Sequence, residues 1–184
     1  MDITDYNNKD LDDIAFQIPE IPIKIAGVME RCAYGYPSIV LLYPERDNDD
    51  STSDIMDHSD LLWLTCPYMI DKIKGLEDEG YIKKISTLIM ADRDIEAQMK
   101  EAHADYYYLR KKIFRLFLGG IHSIDDNNKV FFSGIGGIRN ISILNCLHQH
   151  YAHYRICEDN VAGRVVHTLL KGIVNCKERL CDHG

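Results

Sequence analysis

The residues best suited to chemistry lie in one segment, Cys146 to Gly163, which reads CLHQHYAHYRICEDNVAG. It holds Cys146, Cys157 and three of the eight histidines of the chain. Thiolate and imidazole are ligands that zinc and iron bind well, and a thiol beside an imidazole can act as a nucleophile with its base. The density of these groups predicts either a metal site or a thiol-based catalytic site.

Helical geometry divides these groups between two faces. At about 100° per residue, most of them share one face of a regular helix, namely Cys146, His150, His153 and Cys157. His148 projects elsewhere, so it can share a site with Cys146 only if the helix begins late. Because one helix cannot complete a tetrahedral site, other segments must supply ligands.

Two further cysteines are candidates to complete such a site. Cys32 and Cys66 each follow a predicted strand and stand near Gly or Pro, where the backbone turns and a side chain can be exposed. No CxxC pair is present, which excludes a zinc ribbon or finger. Widely spaced single cysteines suit a mononuclear zinc or iron site, or a three-cysteine iron–sulfur cluster.

Cys66 also has a metal-free interpretation. Pro67 suits the first position of a helix, which places Cys66 at the N-cap, where free N–H groups and the helix dipole favour a thiolate. Cys66 would then be the nucleophile of a hydrolase or transferase, with His148 or His153 as the base. The structural alternative is a cysteine that merely ends a buried strand.

Two other segments are weaker candidates. A glycine-rich loop before a helix can bind an anion, and the residues concerned are Gly134, Gly136, Gly137 and Arg139. The loop lacks the GxxxxGK[ST] pattern, so a flexible turn is the simpler interpretation. In the tail, Cys176, Cys181 and His183 offer metal ligands, but we expect lone thiols on a fraying terminus.

The elements around these residues predict an α+β fold. Apolar, β-branched segments within 21–65 predict a small antiparallel sheet in the N-terminal third. Helical spacing of apolar residues predicts a mainly helical remainder, with helices at about 67–80, 92–118, 143–157 and 160–175. The last two should form a helical hairpin, whereas 81–90 fits helix or strand. We expect a polar lead-in over 1–20, one globular domain over 21–175 and a tail over 176–184.

The helix over 92–118 carries a stripe of apolar residues at heptad-like spacing. Its members are Ile95, Met99, Ala102, Tyr106, Leu109, Ile113 and Leu116. A long core helix is the simplest interpretation. A homodimer seam is the alternative, although mixed Ala and Tyr make weak coiled-coil material.

Composition limits the function classes. With 46% hydrophobic and 27% charged residues, the chain matches an ordinary globular protein. No apolar run suffices to span a membrane, and the acidic N-terminus resembles no signal or transit peptide, so we expect a cytoplasmic protein with reduced cysteines. A net charge of -8 without a basic stripe argues against nucleic-acid binding. The acidic N-terminal part leaves a non-catalytic interaction module as a third interpretation.

Three motifs carry a resemblance to a known family. They are Arg31-Cys32-x-Tyr34-Gly35-Tyr36-Pro37, Trp63-Leu64-Thr65-Cys66-Pro67-Tyr68 and Cys146-Leu147-His148-x-x-x-Ala152-His153. In this order and spacing, the chain resembles the bacterial family called domain of unknown function 501. The resemblance extends over about 27–170, nearly the whole chain.

This resemblance implies a bacterial, cytosolic, single-domain protein, but no reaction. The family's metal-type positions fall on Cys32, Cys66, Cys146, His148 and His153, and His150 is not among them. Its other motif positions fall on Arg31, Gly35, Pro37, Thr65, Pro67, Asn160 and Gly163. Because the family pattern keeps His148 together with Cys146, we predict an irregular entry to their helix and a site completed by Cys32 and Cys66.

Overall fold

A small antiparallel sheet lies in the N-terminal part, and helices form most of the remainder. The structure, a computed structural model, describes residues 3–19, 24–43, 60–118, 133–138 and 142–183. Within these ranges the sheet has the order β1-β2-β3, with β1 at Ile25–Arg31, β2 at Pro37–Leu42 and β3 at Leu62–Leu64. The helices described are α1 Asn8–Gln17, α2 Pro67–Asp78, α3 Tyr81–Ala91, α4 Arg93–Leu118, α5 Leu147–Cys157 and α6 Val161–Leu169. The predicted α+β fold is confirmed.

The centre of the fold is the contact between the sheet and α5. Every residue of β2 is buried, which fits a run of β-branched and apolar side chains in a central strand. Helix α5 packs against β3, α2 and α6. As a result α5 is covered on several sides, and Leu147, His150, Tyr151, Ala152 and His153 are all buried.

The entry to α5 has the predicted irregularity. Cys146 is the N-cap residue and has extended backbone angles of φ -153° and ψ 120°. It therefore projects from the turn before the helix, while His148 lies in the first helical turn. This confirms the late helix start that allows Cys146 and His148 to approach each other.

The C-terminal segment differs from the sequence expectation. Helix α6 ends at Leu169 because the chain turns through positive φ at Lys171 and Gly172. The chain then returns over the β1–β2 hairpin, where the Tyr34 hydroxyl donates to the backbone oxygen of Lys177 at 3.0 Å. Cys176 and Cys181 are buried, with 8% and 3% exposure. The expectation of lone thiols on a fraying terminus is therefore wrong.

Most of the apolar stripe of α4 lies in the core of the chain itself, whereas its last member, Leu116, is 59% exposed. Met99, Ala102, Tyr106 and Ile113 are at most 1% exposed, which removes them from a surface where a second copy could dock. The interpretation of α4 as a core helix therefore fits the packing. No helix in the described ranges combines the length and the apolar character needed to cross a membrane.

Candidate functional site

Three different metal-ligand types converge where α2 meets the start of α5. The ligand atoms of Glu77, Cys146 and His148 all lie within 4.8 Å of one another. Glu77 comes from the last turn of α2, whereas Cys146 and His148 flank the first residue of α5. The side chains of Glu77 and His148 are each 22% exposed, so the cluster is accessible from solvent while partly desolvated.

The ring of His148 is oriented by a backbone carbonyl. Its Nε2 lies 3.1 Å from the oxygen of Ile70, and a carbonyl can only accept, so we assign the proton to Nε2. In the neutral ring, Nδ1 then carries a lone pair. That lone pair faces Glu77 Oε1 at 3.3 Å and Cys146 Sγ at 3.8 Å. Metal-binding histidines are commonly held by such a second-nitrogen contact.

These separations fit tetrahedral coordination. Bonds of about 2.0–2.1 Å to nitrogen and oxygen and about 2.3 Å to sulfur place tetrahedral ligands about 3.3 Å (N to O) and 3.6 Å (N to S) apart. The observed 3.3 Å between Nδ1 and Oε1 matches the first value. The observed 3.8 Å between Nδ1 and Sγ exceeds the second only slightly.

The N-terminus of α5 stabilises negative charge in the cluster. Glu77 Oε1 accepts from the Leu147 N–H at 2.6 Å. Burial raises the pKa of the Cys146 thiol, as does the carboxylate of Glu77, while the backbone N–H groups of Gln149 and His148 act in the opposite direction. The thiol therefore stays protonated at neutral pH unless a cation replaces its proton.

A mainly apolar pocket adjoins this cluster. Its volume is about 580 Å³, within the range of small-molecule sites. Leu62, Trp63, Leu64 and Ile70 supply much of its apolar lining, and Cys146 and His148 line it as well. A molecule in this pocket can therefore reach two of the three candidate ligands.

The five family positions do not meet at one point in the described residues. No three of Cys32, Cys66, Cys146, His148 and His153 have ligand atoms that all lie within 4.8 Å of one another. Cys66 is the N-cap of α2, as the sequence predicts. Burial raises the pKa of its thiol to about 11, and the N–H groups of Met69 and Tyr68 only partly counteract this. This rise in the thiol pKa is opposite to the lowering that the N-terminus of a helix would cause by itself.

His150 and His153 lie in a separate, fully buried network with Asn160. The Asn160 side chain accepts from the Gly163 N–H at 3.0 Å, which fixes which of its atoms is the oxygen. Its Nδ2 then donates to Nδ1 of His150 at 3.2 Å and to Nδ1 of His153 at 3.3 Å. One amide thus forms the N-cap of α6 and links α5 to it.

These hydrogen bonds determine the tautomers of the two histidines. A ring whose Nδ1 accepts carries its proton on Nε2, and a protonated nitrogen does not ligate metal. Burial lowers the pKa of His150 to about 3 and that of His153 to about 4, and His103 lowers both further. The network therefore consists of neutral rings with a structural role.

The buried His153 ring should make the protein acid-sensitive. The unfolded ring binds a proton below about pH 6.5, whereas the folded ring stays neutral down to about pH 4. His153 should therefore lower the free energy of unfolding by about 1.4 kcal/mol per pH unit as pH drops through this window, and the buried His150 should add a similar amount. Urea denaturation between pH 7.5 and 5 measures this slope. His153→Gln should reduce the slope by about half, and an unchanged slope in that variant would contradict the assignment.

The glycine-rich loop uses its backbone N–H groups internally. Gly134 N–H donates to the Ile138 oxygen at 2.9 Å, and Gly137 N–H donates to the Gly134 oxygen at 3.2 Å. The N–H of Ile135 donates to His103 Nδ1 at 3.0 Å. The carbonyl of Gly136 accepts from the Asn145 side chain at 2.7 Å, so these contacts hold the described loop in place, and anion binding by it stays a prediction. Arg139 lies outside the described residues.

Most other family positions have structural roles. Arg31 pairs with the buried Asp10, with Nη2 to Oδ2 at 3.0 Å, and also donates to the Gly35 oxygen at 3.1 Å. Gly35 has φ +87°, which favours glycine in the hairpin turn. The Pro37 oxygen accepts from the Thr65 hydroxyl at 2.9 Å, which joins β2 to the residue before Cys66.

Sequence reasoning missed Glu77 as a candidate ligand. It is one of 29 acidic residues, and its helix shows no ligand spacing toward Cys146, so only the packing of α2 against α5 reveals it. The pocket was missed for the same reason. The Trp63 in its lining comes from β3, far along the chain from α5.

Comparison with known proteins gives one match. A family model described as "Protein of unknown function (DUF501)" matches residues 28–168, which is more than half of the chain. Cys32, Cys66, Glu77, Cys146 and His148 all fall within the matched range. No curated protein and no solved structure matches the chain.

Proposed function

We propose that this chain, which belongs to the DUF501 family of unknown function, is a metal-binding protein. Glu77, Cys146 and His148 would bind a zinc or ferrous ion beside the apolar pocket. One observation carries the proposal. Three ligands of different chemistry converge while the remaining nitrogen of His148 is held by the Ile70 carbonyl.

A cation resolves an electrostatic conflict in this cluster. With the proton on Nε2, the Nδ1 lone pair of His148 faces the Glu77 carboxylate at 3.3 Å, and two electron pairs repel each other. Protonation of the ring relieves this conflict with one ion pair. A metal ion relieves it for all three ligands and also takes up the Cys146 thiolate.

The donor set restricts the choice of ion. One nitrogen, one sulfur and one carboxylate oxygen suit a mononuclear zinc or ferrous ion. An iron–sulfur cluster needs several thiolates, but Cys146 is the single thiol among the three side chains at this site. Three protein ligands leave a coordination position for an exogenous ligand, which is the arrangement of catalytic zinc sites.

The pocket indicates the class of that ligand. Its apolar lining favours a small, largely apolar molecule, and the adjacent metal favours a polar or anionic group at one end of it. The thiol-enzyme alternative has less support. Burial raises the pKa of the Cys66 thiol to about 11, so little thiolate is present at neutral pH.

Removing one ligand should abolish tight metal binding at this site. Glu77→Gln, Cys146→Ser and His148→Gln should each weaken zinc binding at least about 100-fold, because loss of a direct ligand exceeds the known cost of losing an outer contact. Competition with a chromophoric chelator measures the zinc affinity, and elemental analysis measures the loss of one equivalent of bound zinc.

Cys157→Ser is the matched control. Cys157 ends the same helix, is only partly buried and lies outside the cluster, so its replacement should leave the zinc affinity unchanged. Circular dichroism and thermal unfolding check that each variant is folded. If the folded Glu77→Gln protein binds as many equivalents as the wild type with equal affinity, the proposal fails.

A further inference from the structure

A second group of thiols gathers where the C-terminal segment meets the hairpin. Cys32 follows β1, Cys66 caps α2, and Cys176 and Cys181 lie in the segment after α6. Cys66, Cys176 and Cys181 are buried, and Cys32 is partly buried. None of these four belongs to the Glu77 cluster.

Hydrogen bonds next to the cysteines bring the hairpin and the C-terminal segment together. The backbone N–H of Ala33 donates to the side-chain oxygen of Asn175 at 3.1 Å. These two residues directly adjoin Cys32 and Cys176 in the chain. The first half of the C-terminal segment is therefore held at the turn that contains Cys32.

A second set of contacts links Cys181, through Gln17 and Pro37, to the neighbour of Cys66 in the chain. The side-chain nitrogen of Gln17 donates to Cys181 Sγ at 3.1 Å and to the Pro37 oxygen at 2.9 Å. The same Pro37 oxygen accepts from Thr65, the neighbour of Cys66. The chain also turns between Cys176 and Cys181, where Arg179 has positive φ and its carbonyl oxygen accepts from the Asp182 N–H at 2.9 Å.

The four thiols also influence one another electrostatically. Burial raises the pKa of Cys66, and Cys181 and Cys176 raise it further. Burial likewise raises the pKa of Cys181, and Cys32 and Cys176 add to the effect. Around Cys66, the N–H groups of Met69 and Tyr68 point at the sulfur, an arrangement that stabilises a thiolate.

We propose that Cys32, Cys66, Cys176 and Cys181 form a structural zinc site that clamps the C-terminal segment onto the hairpin. Four thiolates complete a tetrahedral zinc site without an open position, the usual form of a structural site. In the described residues no three of these sulfurs lie within 4.8 Å of one another. Zinc binding would bring the four sulfurs to about 3.8 Å from one another and release the thiol protons.

This site shares no residue with the Glu77 cluster, and the experiment below distinguishes zinc bound at one site from zinc bound at the other. The wild type should bind two zinc ions, and Glu77→Gln should retain one. X-ray absorption spectroscopy of that variant should show a shell of sulfur only, at about 2.3 Å. A shell containing nitrogen or oxygen would overturn the four-cysteine site. If only the Glu77 proposal fails, the wild type binds a single ion with the sulfur-only shell.

Cys181→Ser in the Glu77→Gln background should lose the remaining ion, with at least a 100-fold loss of affinity, whereas Cys157→Ser in that background should keep it. A double variant that retains full zinc binding would overturn the proposal.

An experiment on the wild-type protein avoids any folding defect of a variant. Alkylation of the zinc-loaded protein followed by mass spectrometry should leave the four cysteines unmodified until a chelator is added. Their rapid labelling with zinc present, or a disulfide among them, would overturn it as well.

Discussion

Gly163→Ala should lower the free energy of unfolding by about 2 kcal/mol net, because α5 and α6 touch through this residue and overpacking there costs about 3 kcal/mol. A Cβ at Gly163 would overlap the Cβ of Tyr154 and the backbone oxygen of His150. Both atoms are fixed to the backbone of α5, so the clash can be relieved only by separating the helices. The intrinsic preference of a helix for alanine, about 1 kcal/mol, offsets only part of this cost.

Gly75→Ala is the matched control for this prediction. Gly75 also lies within a helix, α2, but a Cβ there meets no described atom within 4 Å. It should therefore raise the free energy of unfolding by about 0.5–1 kcal/mol. Urea denaturation of both variants provides the comparison. Equal effects of the two replacements would show that the close approach of α5 and α6 is not a constraint.

The strongest sequence predictions concerned the local backbone. Proline at the first helical position indicates that Cys66 caps α2, and the structure agrees. The irregular entry to α5 followed from a conflict between helical projection and the family pattern. His148 could join Cys146 only if Cys146 preceded the helix, and its extended backbone meets that requirement.

What the sequence could not show depends on packing between distant segments. A projection separates the faces of α5, but it does not show that the sheet, α2 and α6 cover several of them. For this reason His150 and His153 look like a half-exposed ligand face in the sequence, although both are fully buried. Glu77 could not be found because nothing in its own helix distinguishes it from other surface carboxylates.

The C-terminal cysteines show the same limit. A short polar tail with two thiols is typical of a frayed end. Its burial depends on contacts with Gln17 and Tyr34, which lie more than 140 residues away in the chain. The single predicted five-residue site corresponds in the structure to three places. These are the Glu77 cluster, the group of four thiols and the Asn160 network.

Asn160→Ala should have the largest effect on stability of any single replacement considered, about 4 kcal/mol. The change removes the N-cap of α6, which is worth about 1 kcal/mol. It also leaves Nδ1 of His150 and of His153 buried without a donor, at about 1–3 kcal/mol for each. Chemical denaturation at pH 7.5, where both rings are neutral, measures the loss.

Asn160→Ser separates the two contributions. A serine oxygen can accept from the Gly163 N–H and restore the cap, but its short side chain cannot donate to both histidines. It should therefore recover only about 1 kcal/mol of the loss caused by alanine. Recovery of nearly the whole stability by serine would mean that the cap dominates and that the histidine contacts contribute little. Because α5 also carries Cys146 and His148, the alanine variant should in addition bind zinc more weakly at the Glu77 cluster.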